Sequence, residues 1–179
     1  MPGMDRATLA AAVFDRAHLT GEFLLRSGAV SQEYFDKYRF EAEPELLRAL
    51  AEALAPLVPE GTEVLAGLEL GGVPLAVVLG QVTGLPTAFV RKAAKPYGTR
   101  RVAEGADVAG RRALVIEDVV TSGGQVVAST ADLRALGADV RQALCVIDRQ
   151  AGGPAALAEA GVELRALFTM DELKRAGGA

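Results

Sequence analysis

ALVIEDVVTSGGQ, residues 113–125, is the stretch on which the fold turns. Four aliphatic positions read as a buried strand, yet the run meets two adjacent carboxylates, Glu117 and Asp118. After Val119 and Val120 come Thr121, Ser122, Gly123 and Gly124, and a new apolar pattern opens at Gln125. A strand that passes through a glycine-rich loop into a helix presents unpaired N–H groups and a partial positive charge, which suits an anion such as phosphate. The spacing is neither GxxxxGK[ST] nor GxGxxG, so a P-loop and a dinucleotide fingerprint are both excluded here. The carboxylates would repel a phosphate but could accept hydrogen bonds from the hydroxyls of a sugar attached to it. Neighbouring strand residues point to opposite faces, so both acids can serve one ligand only where the strand is ending.

Outward from this stretch, strands and helices alternate. The pattern predicts strands over 62–70, 86–92, 111–120, 140–148 and 162–168, and helices over 73–84, 124–137 and 153–161, with a terminal helical turn over 170–176. In the 124–137 helix, Val126, Val127, Thr130, Leu133 and Leu136 are spaced for burial. Upstream, a helix is expected over 5–17 and another over 43–57, whose Leu46, Leu47, Leu50, Leu54 and Leu57 form one stripe. Short strands or turns should fill the interval between them. Alternation of this kind means βαβ units and an α/β fold, with a central, mainly parallel sheet flanked by helices. Ligands of such sheets bind outside the carboxyl ends of the strands. Those ends carry Glu69–Gly72, Arg91–Lys92, Glu117–Gly124 and Asp148–Arg149.

The chain has 179 residues, enough for one domain with a substantial core, and half of them are hydrophobic, which argues against disorder. No apolar run is long enough to span a membrane, and the N-terminus lacks the pattern of a signal peptide. The lone cysteine, Cys145, cannot form an internal disulfide, so a cytoplasmic location is expected. A net charge of −4 weighs against a general nucleic-acid binder. Residues 91–101, RKAAKPYGTRR, hold five basic residues and no acid: either a solvated loop or a local anion site. His18, the only histidine, has no metal-site or hydrolase context and reads as structural.

The 113–125 stretch resembles the phosphoribosyl-diphosphate (PRPP) signature of type I phosphoribosyltransferases. The resemblance implies that Glu117 and Asp118 bind the ribose hydroxyls, and that Thr121, Ser122, Gly123, Gly124 and Gln125 bind the 5′-phosphate. Four further motifs in order, over residues 20–150, look like those of the orotate phosphoribosyltransferase family. In FVRKAAKPYG, Arg91, Lys92, Lys95 and Gly98 match a mobile loop that closes over the site from the neighbouring subunit, with Tyr97 where many members have histidine. GEFLLRSGAVSQEYFD resembles the family's N-terminal hood; Arg26 replaces the usual lysine, and Tyr34 and Phe35 would lie against the pyrimidine ring or simply pack in the core. Glu69–Pro74 matches the diphosphate-binding turn, with Gly71 where many members have lysine, leaving backbone N–H groups at Gly71 and Gly72 to hold the diphosphate. Asp148-Arg149-Gln150 matches the motif whose arginine pairs with orotate's carboxylate, a role that a guanidinium fork suits; a surface pair is the plainer alternative.

Taken together, the resemblance implies a type I phosphoribosyltransferase fold in a single domain, 1–179, with a small hood at about 18–42 and a core at about 43–170. It implies transfer of the phosphoribosyl group from PRPP to orotate, with Lys92, Lys95 and Asp118 as catalytic residues. Arg26, Tyr34, Phe35, Thr121 and Arg149 would bind orotate. Mg²⁺ would be held mainly through PRPP, with Asp118 as a further ligand. A homodimer sharing the 91–101 loop is expected, with no nucleic-acid or membrane partner. Two rivals are a purine or uracil transferase on the same fold, which Arg149 and the hood motif oppose, and a PRPP-sensing regulator that binds RNA or DNA through its basic loop.

Overall fold

The computed structural model describes residues 4–178, excepting 95, 97, 99 and 100. Helix α1 (Arg6–Ala17) begins at Asp5, whose Oδ1 accepts the N–H groups of Ala7 and Thr8 at 3.0 Å each. Its Leu9, Val13, Phe14 and Ala17 are buried, while Arg16 lies at the rim and pairs with Glu43 at 2.9 Å. The mixed stretch that follows forms an antiparallel hairpin, β1 (His18–Leu24) and β2 (Val30–Phe35), with Gly28 at φ 85° in its turn. A single helical turn, α2 (Tyr38–Glu41), was not foreseen. Helix α3 (Pro44–Leu54) buries its leucine stripe and stops three residues short of the expected end, in a 3₁₀ turn at Ala55–Leu57. Pro56 has no N–H to extend the α-helical ladder.

The core follows as β3 (Val64–Leu68), α4 (Gly72–Thr83), β4 (Thr87–Val90), β5 (Ala103–Gly105), β6 (Ala113–Val120), α5 (Gly124–Ala135), β7 (Gln142–Asp148), α6 (Gly153–Glu159), β8 (Glu163–Thr169) and α7 (Met170–Ala176). Gly84, left-handed at φ 77°, ends α4, and a reciprocal Thr169–Glu172 capping box starts α7. The sheet order is β5-β4-β3-β6-β7-β8, parallel except for the short edge strand β5. Every residue of β3 is buried, as are residues 113–118 of β6, which is what covered faces on both sides require. One face packs on α1, α3, α4 and α7 through residues such as Leu50, Leu75 and Leu173; the other packs on α5 and α6 through Val126, Leu133 and Leu157. Leu136 departs from expectation: it is the C-cap residue of α5, outside the buried stripe, and is 42% exposed.

Topology then locates a crevice. From β3 the chain moves outward through α4 to β4; from β6 it moves the other way through α5, β7, α6 and β8. The direction reverses between β3 and β6, and ligands of open α/β sheets bind at the carboxyl ends flanking such a reversal. No described helix is long and apolar enough to cross a membrane.

Candidate functional site

At the reversal point β3 pairs with β6 only as far as Gly67↔Ile116, whereas the β7 side continues to Val120↔Asp148. Glu117 and Asp118 are therefore not at the end of the strand, as expected, but where one of its two neighbours has ended. The start of α4 moves into that gap. A Cβ at Gly72 would lie 2.3 Å from Ile116 O, and one at Gly71 would lie 1.8 Å from Asp118 Oδ2 and 2.7 Å from Glu41 Oε1. Both glycines are buried, and no other residue fits this close approach without displacing the acids.

Asp118 is completely buried. Its Oδ1 accepts the Val119 N–H at 2.6 Å, and its Oδ2 forms an ion pair with Lys37 Nζ at 2.7 Å. Glu117 is nearly as buried, with Oε1 accepting the Asp118 N–H at 3.0 Å. Glu41, on α2, brings a third buried carboxyl alongside. Burial pushes Glu117 up to about 9, helped by the neighbouring Asp118 charge. Burial and the hydrogen bond to Asp118 do the same for Glu41, again to about 9. Burial opposes the charge of Asp118 as well, but hydrogen bonds with Glu41, Glu117 and Lys37 hold its carboxyl below the usual range. Lys37 is likewise disfavoured by burial, yet its contact with Asp118 raises it overall. Burial thus disfavours charge on Glu117 and Glu41, while Asp118 and the Lys37 ammonium hold each other's charge.

A pH dependence follows from the two raised carboxyls. Each binds its proton more tightly folded than unfolded, so stability falls as pH climbs from about 4.5 toward about 9. Thermal denaturation of the ligand-free protein should give a lower Tm at pH 9 than at pH 6. Glu41→Gln, which mimics the protonated form, should reduce that difference; an unchanged pH slope would show that Glu41 is already ionised.

Next to the cluster lies a cavity of about 530 Å³, lined by Tyr34, Phe35, Lys37, Thr121 and Arg149 among others. Five residues from three separate parts of the chain meet there. Thr121 and Ser122 are exposed, and Gly123, at φ 83°, leads into α5, whose first turn has no side-chain cap. Gly124 and Gln125 are exposed at that helix start, with Gln125 Nε2 donating to Ser129 Oγ at 3.1 Å. Arg149 is held by its N–H on Val120 O at 2.9 Å, with its side chain exposed, while Asp148 accepts the Gln150 N–H at 2.8 Å. Phe35 packs against the core, Tyr34 stacks on Phe23 at 5.5 Å between ring centroids, and both line the cavity.

Elsewhere the expected residues spread out. Arg91 lies 3.9 Å from Glu104, and the Lys92 N–H donates to Glu69 Oε1, which ties the start of the basic loop to the end of β3. Arg26 is exposed in the hairpin turn and is not among the residues lining the cavity. Lys95 and Tyr97 lie outside the described residues. Sequence reasoning missed Lys37 and Glu41. Lys37 directly follows Asp36 of the hood motif, but no periodicity signals that it reaches β6.

The phosphoribosyl transferase domain profile matches residues 39–160. An orotate phosphoribosyltransferase from Nocardioides sp. is 52% identical over 170 residues, covering 95% of each chain. One from Halobacterium salinarum is 46% identical over 153 residues, covering 86% of this chain and 87% of the relative. Among solved structures, the Mycobacterium tuberculosis orotate phosphoribosyltransferase in complex with PRPP superimposes with a TM-score of 0.82 at 26% identity, covering 95% of this chain and 99% of that one. With the reversal point, the acidic pair and the uncapped helix start in place, the chain belongs to the orotate phosphoribosyltransferases of the type I phosphoribosyltransferase family.

Proposed function

We infer that this chain transfers the 5-phosphoribosyl group from PRPP to orotate, yielding orotidine 5′-monophosphate and diphosphate, a step of pyrimidine synthesis. The observation that carries this reading is the meeting of Thr121, Arg149, Tyr34 and Phe35 in one cavity beside the Glu117–Asp118 pair. In the reaction the anomeric carbon loses its bond to diphosphate and gains one to a ring nitrogen of orotate. Positive charge develops on the ribose and negative charge on the leaving group.

The roles follow from the chemistry. Exposed N–H groups and hydroxyls over Thr121–Gln125 hold the 5′-phosphate. Glu117 and Asp118 accept the ribose hydroxyls. The N–H groups at Gly71 and Gly72 face the diphosphate, and Arg91, Lys92, Lys95 and Tyr97 stabilise its charge as it leaves. Arg149 pairs with orotate's carboxylate, Tyr34 and Phe35 flank its ring, and Arg26 and Thr121 complete that side. Orotate attacks in its deprotonated form, so no strong protein base is required; rate comes from positioning and electrostatics. Closure of the 91–101 loop keeps out water that would hydrolyse PRPP.

Among the described residues no group of three His, Cys, Asp or Glu side chains is arranged as a metal cage. Mg²⁺, a hard cation, would be held mainly by the oxygens of the substrate, with Asp118 as the protein carboxylate that would join it. When bound, Mg²⁺ supplies charge neutralisation at the diphosphate. The same reading takes the protein as one domain, with a hood over 18–42 and a core over 43–170, working in the cytoplasm as a homodimer that shares the basic loop.

The direct test follows orotate's ultraviolet absorbance with PRPP and Mg²⁺. Loss of orotate absorbance is expected; turnover of hypoxanthine or uracil in its place would overturn the assignment. Arg149→Ala should raise the KM for orotate about 30-fold, the worth of a lost charge-assisted pair, with the KM for PRPP nearly unchanged. Equal loss of both affinities would contradict its role.

A further inference from the structure

Lys37 separates the cavity from the acid behind it. Asp118 has no exposure of its own, and the group that faces both the carboxylate and the open space is the Lys37 ammonium. The lysine side chain is one-third exposed. Its backbone is anchored nearby, the Asp36 N–H donating to Ala17 O at 2.8 Å, and the side chain beyond that anchor is a flexible four-carbon stem. The Tyr38 ring lies 5.3 Å from Nζ and offers a cation–π contact besides Asp118. Gly71 has no side chain and admits none, so the cation beside Asp118 comes from the hood side of the molecule. Glu41 and Glu117 also face Asp118. Without Lys37, this corner would present only carboxyl groups to a multiply charged sugar phosphate.

We propose that Lys37 is an exchangeable counter-ion of Asp118: it neutralises the buried carboxylate in the free protein, and turns to an anionic group of the sugar phosphate when that ligand's hydroxyls take its place. The exchange solves a problem of charge. A carboxylate left bare in a dry pocket is costly, and an acidic pocket repels a phosphorylated ligand. An ammonium that serves the acid first and the ligand afterwards meets both demands without a buried unpaired charge at either stage. Lys37 is on this account a positioning residue, and the proposal rests on the PRPP-binding reading given above.

The test exploits the lysine count. The chain has four lysines, Lys37, Lys92, Lys95 and Lys174, so reductive ¹³C-methylation, which keeps the charge, gives few side-chain resonances, and Lys37→Met assigns the one of interest. Adding PRPP with Mg²⁺ should shift the Lys37 resonance. In kinetics with unmethylated protein, Lys37→Met should raise the KM for PRPP about tenfold, the worth of one partly screened ionic contact, with the KM for orotate nearly unchanged. Lys37→Arg should recover most of the loss. A lysine that only props up the fold would lower Tm in Lys37→Met and leave the resonance and the KM for PRPP unmoved. That result, obtained with wild-type protein that turns over PRPP and orotate, overturns this proposal alone. Failure of wild-type protein to bind PRPP would overturn it together with the functional reading.

Discussion

Asp118→Asn is expected to raise the KM for PRPP by roughly 10- to 150-fold, the range for losing a hydrogen bond to a charged group. Both carboxylate oxygens are engaged, one by the Val119 N–H and the other by Lys37. An amide keeps the shape but offers one acceptor for those two donors, and its own N–H₂ must then face a donor. The Lys37 ammonium loses its counter-charge, and because that side chain is one-third exposed the cost to folding is about 2 kcal/mol, below the figure for a wholly buried pair. Tm should fall by roughly 4–8 °C. Glu117→Gln is the control: Glu117 is raised to about 9, so its neutral form is the resting one and glutamine imitates it more closely. The smaller loss should be at position 117. A PRPP KM unaltered by Asp118→Asn would remove that carboxylate from the ribose site.

The second large effect is expected at a residue with no side chain. Gly71 has φ −68° and ψ −30°, ordinary right-handed values that any residue adopts. At such a position Gly→Ala normally stabilises by about 0.4–1 kcal/mol, by restricting the unfolded chain. Here the added methyl would lie 1.8 Å from Asp118 Oδ2 and 2.7 Å from Glu41 Oε1. Neither acid is free to retreat, since both are buried and β6 and α2 fix their backbones. Gly71→Ala should therefore destabilise by about 1–3 kcal/mol, the usual cost of overpacking, and raise the KM for PRPP through the displaced acid. The sign of the Tm change decides: a rise would show that the acids have room to move and that the glycine serves some other purpose.

Much of this molecule was legible in its residue pattern. The near-continuous aliphatic runs of β3, β6 and β7 require two covered faces, and their alternation with helices implies a parallel sheet whose strand ends converge. The uncapped start of α5 was visible in Thr121–Gly124, because a glycine-rich loop between a strand and an apolar helical pattern leaves little choice of backbone. Short pieces escaped. β5 is three residues held by pairing with β4, and α2 is one turn; neither is long enough to show a period. Leu136 matched the stripe in spacing but falls past the helix end.

What the residues determined by themselves is local and periodic: the α/β class, the strand ends, and a glycine-rich loop that opens an uncapped helix. The tertiary structure alone decided the electrical state of the acidic pair. Lys37 and Glu41 reach Asp118 from some 80 positions away along the chain, and Gly71 closes over it from another element. Charge and proton affinity depend on burial and on neighbours a few ångströms away, and those distances are set when the hood packs on the sheet.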